Sequence, residues 1–414
     1  MNIVVINNLA RFPGTGRWDF DLVRYEDFID HCAHKVHYIV NERGRAGVLA
    51  APGSYTLTEL RRLDDIAAYL PVLRSIEQAH GCIDRLIVFS ESLQDLAAEL
   101  RNAFDIPGKR PDENKLGRDK LLMKQKVHAA GLRAPRFTAV LPSSVEHAVA
   151  FAASVGYPVI LKPVNGQSSQ GVRKIADEAQ LRVAVADLPD GSHWDLEECI
   201  DGRLLHVDGL VDPQGKVTLV VPSQYVNTCL DFTFGAPLGA IMLEPGSALH
   251  ARVCSFSARC LEAIGLKGCP FHLEVFHTTG DELVFLEVGA RVGGADVPSV
   301  IHQATGINLF GEWVNMCLGQ AATLSAPARA IGAWLMFPRP AQLPRRVDAV
   351  TRFDGELPTL YRQLVPEPGQ LLEHEDGYCS MQAGRFLFSA SSAEPVVKDV
   401  ERVLNEFSIA TTQA

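Results

Sequence analysis

Glu274 and Glu287 lie in the stretch Phe271-His-Leu-Glu-Val-Phe-His-Thr-Thr-Gly-Asp-Glu-Leu-Val-Phe-Leu-Glu-Val-Gly-Ala-Arg291. Gly280-Asp281 is a Gly-X pair, which suits a two-residue type II′ hairpin loop. With that loop, Thr279 faces Glu282, Phe276 faces Phe285 and Glu274 faces Glu287. The two carboxylates then share one face, with Cβ atoms ~4.5–5.5 Å apart. Like charges so opposed destabilise a ladder unless something neutralises them. Mg²⁺ does this naturally, because it takes carboxylates and shares its remaining positions with phosphate oxygens. Two alternatives stay open, a solvated pair on an exposed hairpin and a buried pair sharing one proton. Phe276 and Phe285 on the same face argue for cover. Arg291 comes four residues after Glu287 and reaches the same charge cluster, as an anion-binding group or as a partner of one glutamate.

Lys162 ends the apolar run Tyr157-Pro-Val-Ile-Leu-Lys162-Pro, and lysine is seldom buried without a partner. The Asn165–Gly171 loop follows it directly. Its glycines, serines and glutamines can turn backbone N–H groups and hydroxyls toward an anion, or it is a plain surface turn. It is not a Walker A sequence. Lys120 sits in the first turn of a helix predicted over about 118–130, where a cation is mildly unfavourable against the helix dipole. A phosphate at that end would reverse the balance; otherwise Lys120 is a solvated helix residue.

The elements that must position these groups follow from periodicity and punctuation. Strand patterns at Asn2–Asn7, Val36–Val40 and Leu86–Phe89 alternate with helical ones at Asp21–Cys32, within Leu57–His80, and at Ser92–Phe104. That alternation predicts an open parallel α/β sheet for residues 1–105. No Gly-x-Gly-x-x-Gly follows the first strand. The Pro/Gly-rich run Ile106–Asn114 reads as a connection between lobes. Strands are expected at Tyr157–Pro163, Val172–Ile175, Leu196–Ile200, Leu204–Val211 and Lys216–Val221, before the long hairpin. A further lobe is expected to open with a strand at Ala330–Phe337 and to end in a helix near Pro395–Phe407.

The chain has 414 residues, of which 47% are apolar and 21% charged, the balance of a globular protein with an ample core. A net charge of −10 argues against a surface for nucleic acid, whose binding rests on phosphate neutralisation. It leaves room for a local cationic cleft. The nine cysteines form no Cys-x-x-Cys pair and read as free thiols of a cytoplasmic protein, including the loose group Cys254, Cys260 and Cys269. The opening MNIVVINNLARF reads as a core strand rather than a signal peptide. No apolar run reaches the ~18 residues of a membrane span.

Taken in order, Asp119-Lys120, Tyr157–Pro163, the Ser168-Ser169-Gln170-Gly171 loop, Leu196-Glu-Glu-Cys-Ile-Asp-Gly202, Glu274 and Glu287-Val-Gly-Ala-Arg291 resemble the ATP-grasp superfamily. The likeness covers roughly residues 106–320. Glu-Val-Gly-Ala-Arg-Val-Gly-Gly, followed by Ala-Thr-Gly-Ile-Asn-Leu, looks most like the carboxylate–amine ligase branch of L-amino-acid ligases and carnosine-synthase-like enzymes. The resemblance implies an ATP-grasp fold with an N-terminal open parallel α/β domain. A small lobe over 106–195, a large lobe over 196–320 and a C-terminal lobe over 321–414 would follow. It also implies roles. Lys120 and Lys162 would contact ATP phosphates, and Ser168, Ser169, Gln170 and Gly171 would close over them. Glu197, Glu198, Cys199 and Ile200 would form the hinge that meets adenine. Glu274 and Glu287 would hold Mg²⁺, with Mn²⁺ as a substitute, and Arg291 would stabilise the γ-phosphate and the acyl phosphate made from it. Two positions depart from the family pattern. Gly289 stands where many members carry a metal-binding Asn, and Leu204 where an acid often binds the ribose, with His206 and Asp208 nearby.

The activity so implied is ATP-dependent joining of an acid to an amine, with release of ADP and phosphate. Small-molecule acids and amines would be the partners, and a homo-oligomer is compatible with that. Tyr225–Gly239 and the Gly293-Gly294 turn are expected to border the acid pocket. The rival readings are a thiol or carrier-protein acceptor, and a nucleotide-binding module without turnover. The full set Lys120, Lys162, Glu274, Glu287 and Arg291 speaks against the last.

Overall fold

The computed structural model describes residues 1–166, 170–320, 330–374 and 382–414. Its N-terminal sheet is built from β1 (Asn2–Asn7), β2 (Lys35–Val40), β3 (Thr56–Glu59) and β4 (Arg85–Val88), all parallel in the order β3-β2-β1-β4. β1 is buried along its whole length, as a near-continuous apolar run should be when both faces of a parallel sheet are covered. The helix within Leu57–His80 occupies Ile66–His80, capped by the Asp65 carboxylate, and the residues before it include β3. The helix expected over Asp21–Cys32 shrinks to Tyr25–Phe28. Phe20 takes a positive φ, and Asn308 Nδ2 donates to the Leu22 carbonyl at 2.9 Å, so the first half of that segment is a tertiary-fixed loop. Its apolar residues pack as individual anchors instead of as a helical stripe.

A second sheet contains β5 (Phe137–Val140), β6 (Val159–Pro163), β7 (Arg173–Ile175) and β8 (Trp194–Glu198) in the order β5-β8-β6-β7. The helices Val145–Val155 and Glu178–Ala186 cover one face around Leu161, Leu181 and Leu196. The third sheet is large and antiparallel. It holds β9 (Gly202–Val211), β10 (Val217–Tyr225), β11 (Leu238–Met242), β12 (Cys269–Thr278), β13 (Leu283–Gly289), β14 (Ile331–Pro338), β15 (Leu360–Leu364) and β16 (Gln382–Ala390). The order is β13-β12-β9-β10-β11-β14-β16-β15, so strands from the last quarter of the chain extend the sheet that carries the hairpin. A small sheet of Arg345–Val350, Leu371–Leu372 and Ile409–Gln413 adjoins the terminal helix Ala393–Glu406.

One apolar cluster joins a face of the N-terminal sheet, through Ile3, Tyr25 and Phe89, to the large sheet, through Trp334 and Phe386. The opposite face of the hairpin packs on the helices Lys120–Ala129 and Ala248–Ile264. The carboxyl ends of β1 and β4 therefore open directly onto the hairpin, the place where open α/β sheets receive ligands.

Candidate active site

The floor of the site is the β12–β13 hairpin. Glu274 lies opposite Glu287, as the sequence predicts, but the route to that register differs. The loop is not the two-residue turn: Thr278 N–H donates to the Glu282 carbonyl and Asp281 takes a positive φ, so three residues are looped out. Phe276 consequently faces Val284, and Val275 faces Phe285. A bulge at Leu286, between the Val275–Phe285 and Glu274–Glu287 pairs, restores the offset, leaving Glu274 against Glu287 and His272 against Gly289. The Gly280-Asp281 signal made the turn one residue too short, and the bulge compensated for the missing residue.

The two carboxylates have opposite electrostatic surroundings. Burial, then the Glu287 charge, push the Glu274 carboxyl above its ordinary range. Burial also opposes ionisation of Glu287, but Lys120 and Lys162 outweigh it and hold that carboxyl low. Tyr225 O–H donates to Glu274 Oε1 at 3.3 Å.

Lys120 and Lys162 converge on Glu287 from two directions, their Nζ atoms 3.5 and 4.0 Å from its Oε2. Asp119 caps the helix bearing Lys120, its carboxylate accepting from the N–H groups of Leu121 and Leu122. Lys120 Nζ also donates to the Gly166 carbonyl at 2.6 Å, tying the helix start to the loop after β6. Lys162 Nζ lies 2.7 Å from Glu197 Oε1 and 3.9 Å from Asp195 Oδ2. Burial acts against its charge, yet Glu197, Asp195 and Glu287 together keep it protonated well above the usual lysine range.

Behind them lies a group that the sequence reading missed. Lys124 is fully buried and ion-pairs with both Asp195 and Glu197. Three ammonium groups, of Lys120, Lys124 and Lys162, thus balance the three carboxylates of Asp195, Glu197 and Glu287. Asp195 is raised to about 6 by burial and by Glu197, and its Oδ1 has no hydrogen-bond partner among the described residues. Glu197 goes the other way, to about 2, because Lys162 and Lys124 outweigh its burial. Lys124 is one helical turn after Lys120, and Asp195 is two residues before Glu197 on a strand, so both spacings carried a signal.

Of the expected hinge residues, Glu197 points into this cluster. Glu198 points to the other face, paired with Arg133 and Arg136. Cys199 and Ile200 border an open groove of about 330 Å³ with Tyr157, Thr278 and Glu282. Gln170 and Gly171 line a second groove, about 740 Å³, with Asp119 and Asn165. Ser168 and Ser169 lie outside the described residues.

Arg291 is held from the N-terminal domain. Its Nε donates to Glu91 Oε2 at 2.6 Å, while Glu91 Oε1 accepts from Arg118 at 2.9 Å. Glu91 follows β4 and stands 200 residues from Arg291 in sequence, so only the tertiary fold unites them. Beside Arg291, His272 Nδ1 lies 2.9 Å from Asp208 Oδ1, and His206 Nδ1 lies 2.6 Å from Asp208 Oδ2. Burial disfavours the Asp208 charge, but His272 and His206 reverse this and hold its carboxyl low. A Cβ at Gly293 would come within 2.4 Å of Asp208 Oδ1, so only glycine lets this turn lie on the carboxylate. Gly294 has open space around it.

A cavity of about 340 Å³ opens from Glu274, Glu287, Arg291 and His272 toward Phe20, Phe89 and Trp334. Gly293, Gly294, Tyr225 and Leu238 line it too. A smaller cleft with Arg118, Lys120, Gly166, Glu274, Glu287 and Arg291 adjoins it. Paired, partly buried carboxylates flanked by cations fit a hard divalent ion carrying phosphate oxygens. No helix among the described residues is long and apolar enough to cross a membrane.

Residues 155–299 match the family model of the ATP-grasp domain. The chain is 24% identical over 243 residues to the L-arginine-specific L-amino acid ligase of Bacillus subtilis, covering 57% of this chain and 58% of that protein. It is 32% identical over 176 residues to D-alanine–D-alanine ligase B of Xanthomonas campestris, covering 38% and 54%. The chain thus spans little more than half the length of these curated relatives. The crystal structure of an L-amino acid ligase from Bacillus licheniformis superposes with a TM-score of 0.70 at 18% identity, over 99% of this chain and 98% of that one. The matched segment contains Glu197–Ile200 and both hairpin glutamates, and the likeness of fold extends over nearly the whole chain, so residues 155–299 are similar to an ATP-grasp domain set in a chain with an ATP-grasp-like fold.

Proposed function

We propose that this protein joins a carboxylic acid, an amino acid or similar small acid, to an amine at the expense of ATP, through an acyl phosphate. The observation that carries the reading is the meeting of two compartments at Glu274, Glu287 and Arg291. One is a small cleft where Arg118, Lys120 and Arg291 meet Glu91, Glu274 and Glu287, and the other is the 340 Å³ cavity, a size typical of small-molecule sites. Phosphoryl transfer asks little covalent help of a protein. It needs cations on the phosphate oxygens and a nucleophile in line.

In this reading Lys120 and Lys162 exchange part of their internal pairing for the ATP phosphates. Glu274 and Glu287 hold the divalent ion, which supplies charge neutralisation on the transferring phosphoryl group. The acid enters the larger cavity, and one carboxylate oxygen attacks the γ-phosphorus, breaking its bond to the bridging oxygen and releasing ADP. Arg291 faces the charge that develops, fixed by Glu91 so that its planar donors need no reorganisation. The amine then attacks the acyl carbon, phosphate leaves with the former carboxylate oxygen, and the amine proton is lost to water. The small lobe of residues 106–195 would close on the large one to exclude water from the acyl phosphate. A screen of amino-acid pairs for ADP and phosphate release tests the reading. Release that requires both an acid and an amine supports it, and ATP binding without turnover on any pair rejects it.

A further inference from the structure

Glu274 and Glu287 are two ligands for an ion that takes about six, and Gly289, two residues beyond Glu287, brings no side chain to the site. The residue opposite Gly289 is His272, on the same face of β12 as Glu274. Its imidazole lines both the cleft and the larger cavity. Nδ1 is occupied by Asp208 at 2.9 Å, and Asp208 is itself fixed by His206 at 2.6 Å. Nε2 makes no hydrogen bond among the described residues and lies 3.8 Å from Glu274 Oε1. Two donors each ~2.1 Å from one ion stand no more than ~4.2 Å apart. His272 Nε2 and Glu274 are already within that limit. A carboxylate on the distal nitrogen of a ligating histidine is the usual way in which such a ring is oriented and its basicity raised. Gly293 keeps space for this carboxylate, since any Cβ there would strike it.

Resting on the reading of this hairpin as the nucleotide–metal centre, we propose that His272 is a direct ligand of the divalent cation through Nε2. Asp208 is its positioning residue. The resulting nitrogen–oxygen donor set takes a transition-series ion, Mn²⁺, in preference to Mg²⁺. Imidazole suits transition ions, whereas Mg²⁺ prefers oxygen donors and retains its waters.

The test uses the full-length protein with Mn²⁺ and a non-hydrolysable ATP analogue, read by pulsed electron paramagnetic resonance and by titration of metal affinity. Wild type is expected to show hyperfine coupling of Mn²⁺ to a directly bound imidazole nitrogen. His272→Gln keeps a donor for Asp208 and should lose that coupling. Its Mn²⁺ affinity should fall roughly 10-fold or more, a loss at least as large as removal of an outer-shell partner causes, with a much smaller change for Mg²⁺. Asp208→Asn should keep the coupling and weaken Mn²⁺ by roughly 10- to 100-fold. Bound Mn²⁺ in wild type without directly bound nitrogen overturns the role of His272 and leaves the ligase reading standing. No Mn²⁺ held with the nucleotide at all removes both. The wild-type spectrum decides the matter even if a variant fails to fold.

Discussion

Lys124 offers the sharpest energetic test, because it is fully buried and ion-pairs with both Asp195 and Glu197. Lys124→Met keeps the alkyl stem and deletes the charge, leaving three carboxylates against two ammonium groups. Lys162 stays close to Glu197, at 2.7 Å, but is 3.9 Å from Asp195, so Asp195 is the group stranded. Breaking a buried pair on one side costs about 3–5 kcal/mol. A ceiling comes from the carboxyl itself, which can take up a proton instead of remaining charged. From an ordinary value of 3.8 this costs about 4 kcal/mol at pH 7, and about 1.6 kcal/mol at pH 5. The expected loss is therefore about 3–4 kcal/mol at neutral pH, shrinking to about 2 kcal/mol or less at pH 5. The sign follows from proton binding: at pH 7 the folded variant holds a proton on Asp195 that the unfolded chain lacks, whereas the folded wild type, with Asp195 at about 6, holds it mainly at the lower pH, so the loss on substitution grows from pH 5 to pH 7. Urea denaturation of both proteins at the two pH values measures this, with Lys124→Met/Asp195→Asn expected to recover most of the loss. A loss under about 1 kcal/mol at pH 7, or one independent of pH, would refute the reasoning.

Other outcomes are expected at the cleft. Glu287→Gln should keep the fold and lower turnover by roughly 10²-fold or more, since both the ion and Lys120 lose an anionic partner; full activity at low Mg²⁺ would take Glu287 out of the metal site. Arg291→Lys keeps the charge but loses the planar fork held by Glu91, so kcat should fall roughly 10²-fold while nucleotide Kd hardly moves. A parallel rise in nucleotide Kd would place Arg291 in ground-state binding instead.

The parts of the site that sequence made legible are those written in local spacing. The opposition of Glu274 and Glu287 follows from a hairpin, although the turn and the bulge shifted the register by equal and opposite steps. Lys162 at the end of an apolar strand and Lys120 at a helix start were readable as cations out of place. His272 was within reach as well, two residues before Glu274 on a strand whose side chains alternate. Glu91 was not, because nothing in the turn after β4 announces arginines that only the tertiary fold brings there. The loop at Phe20–Leu22 misled for a related reason. Its apolar residues anchor a loop over the cavity, and their spacing imitates a helix.

The central claim is that the acid is activated as an acyl phosphate, and the fate of its carboxylate oxygen tests this most directly. With an acid labelled by a heavy oxygen isotope in both carboxylate positions, productive amide formation should move one labelled oxygen per turnover into inorganic phosphate. ADP should appear in equal amount. Amide formed with unlabelled phosphate, or with AMP in place of ADP, would contradict the account, because the acid would then have been activated without bonding to the γ-phosphorus.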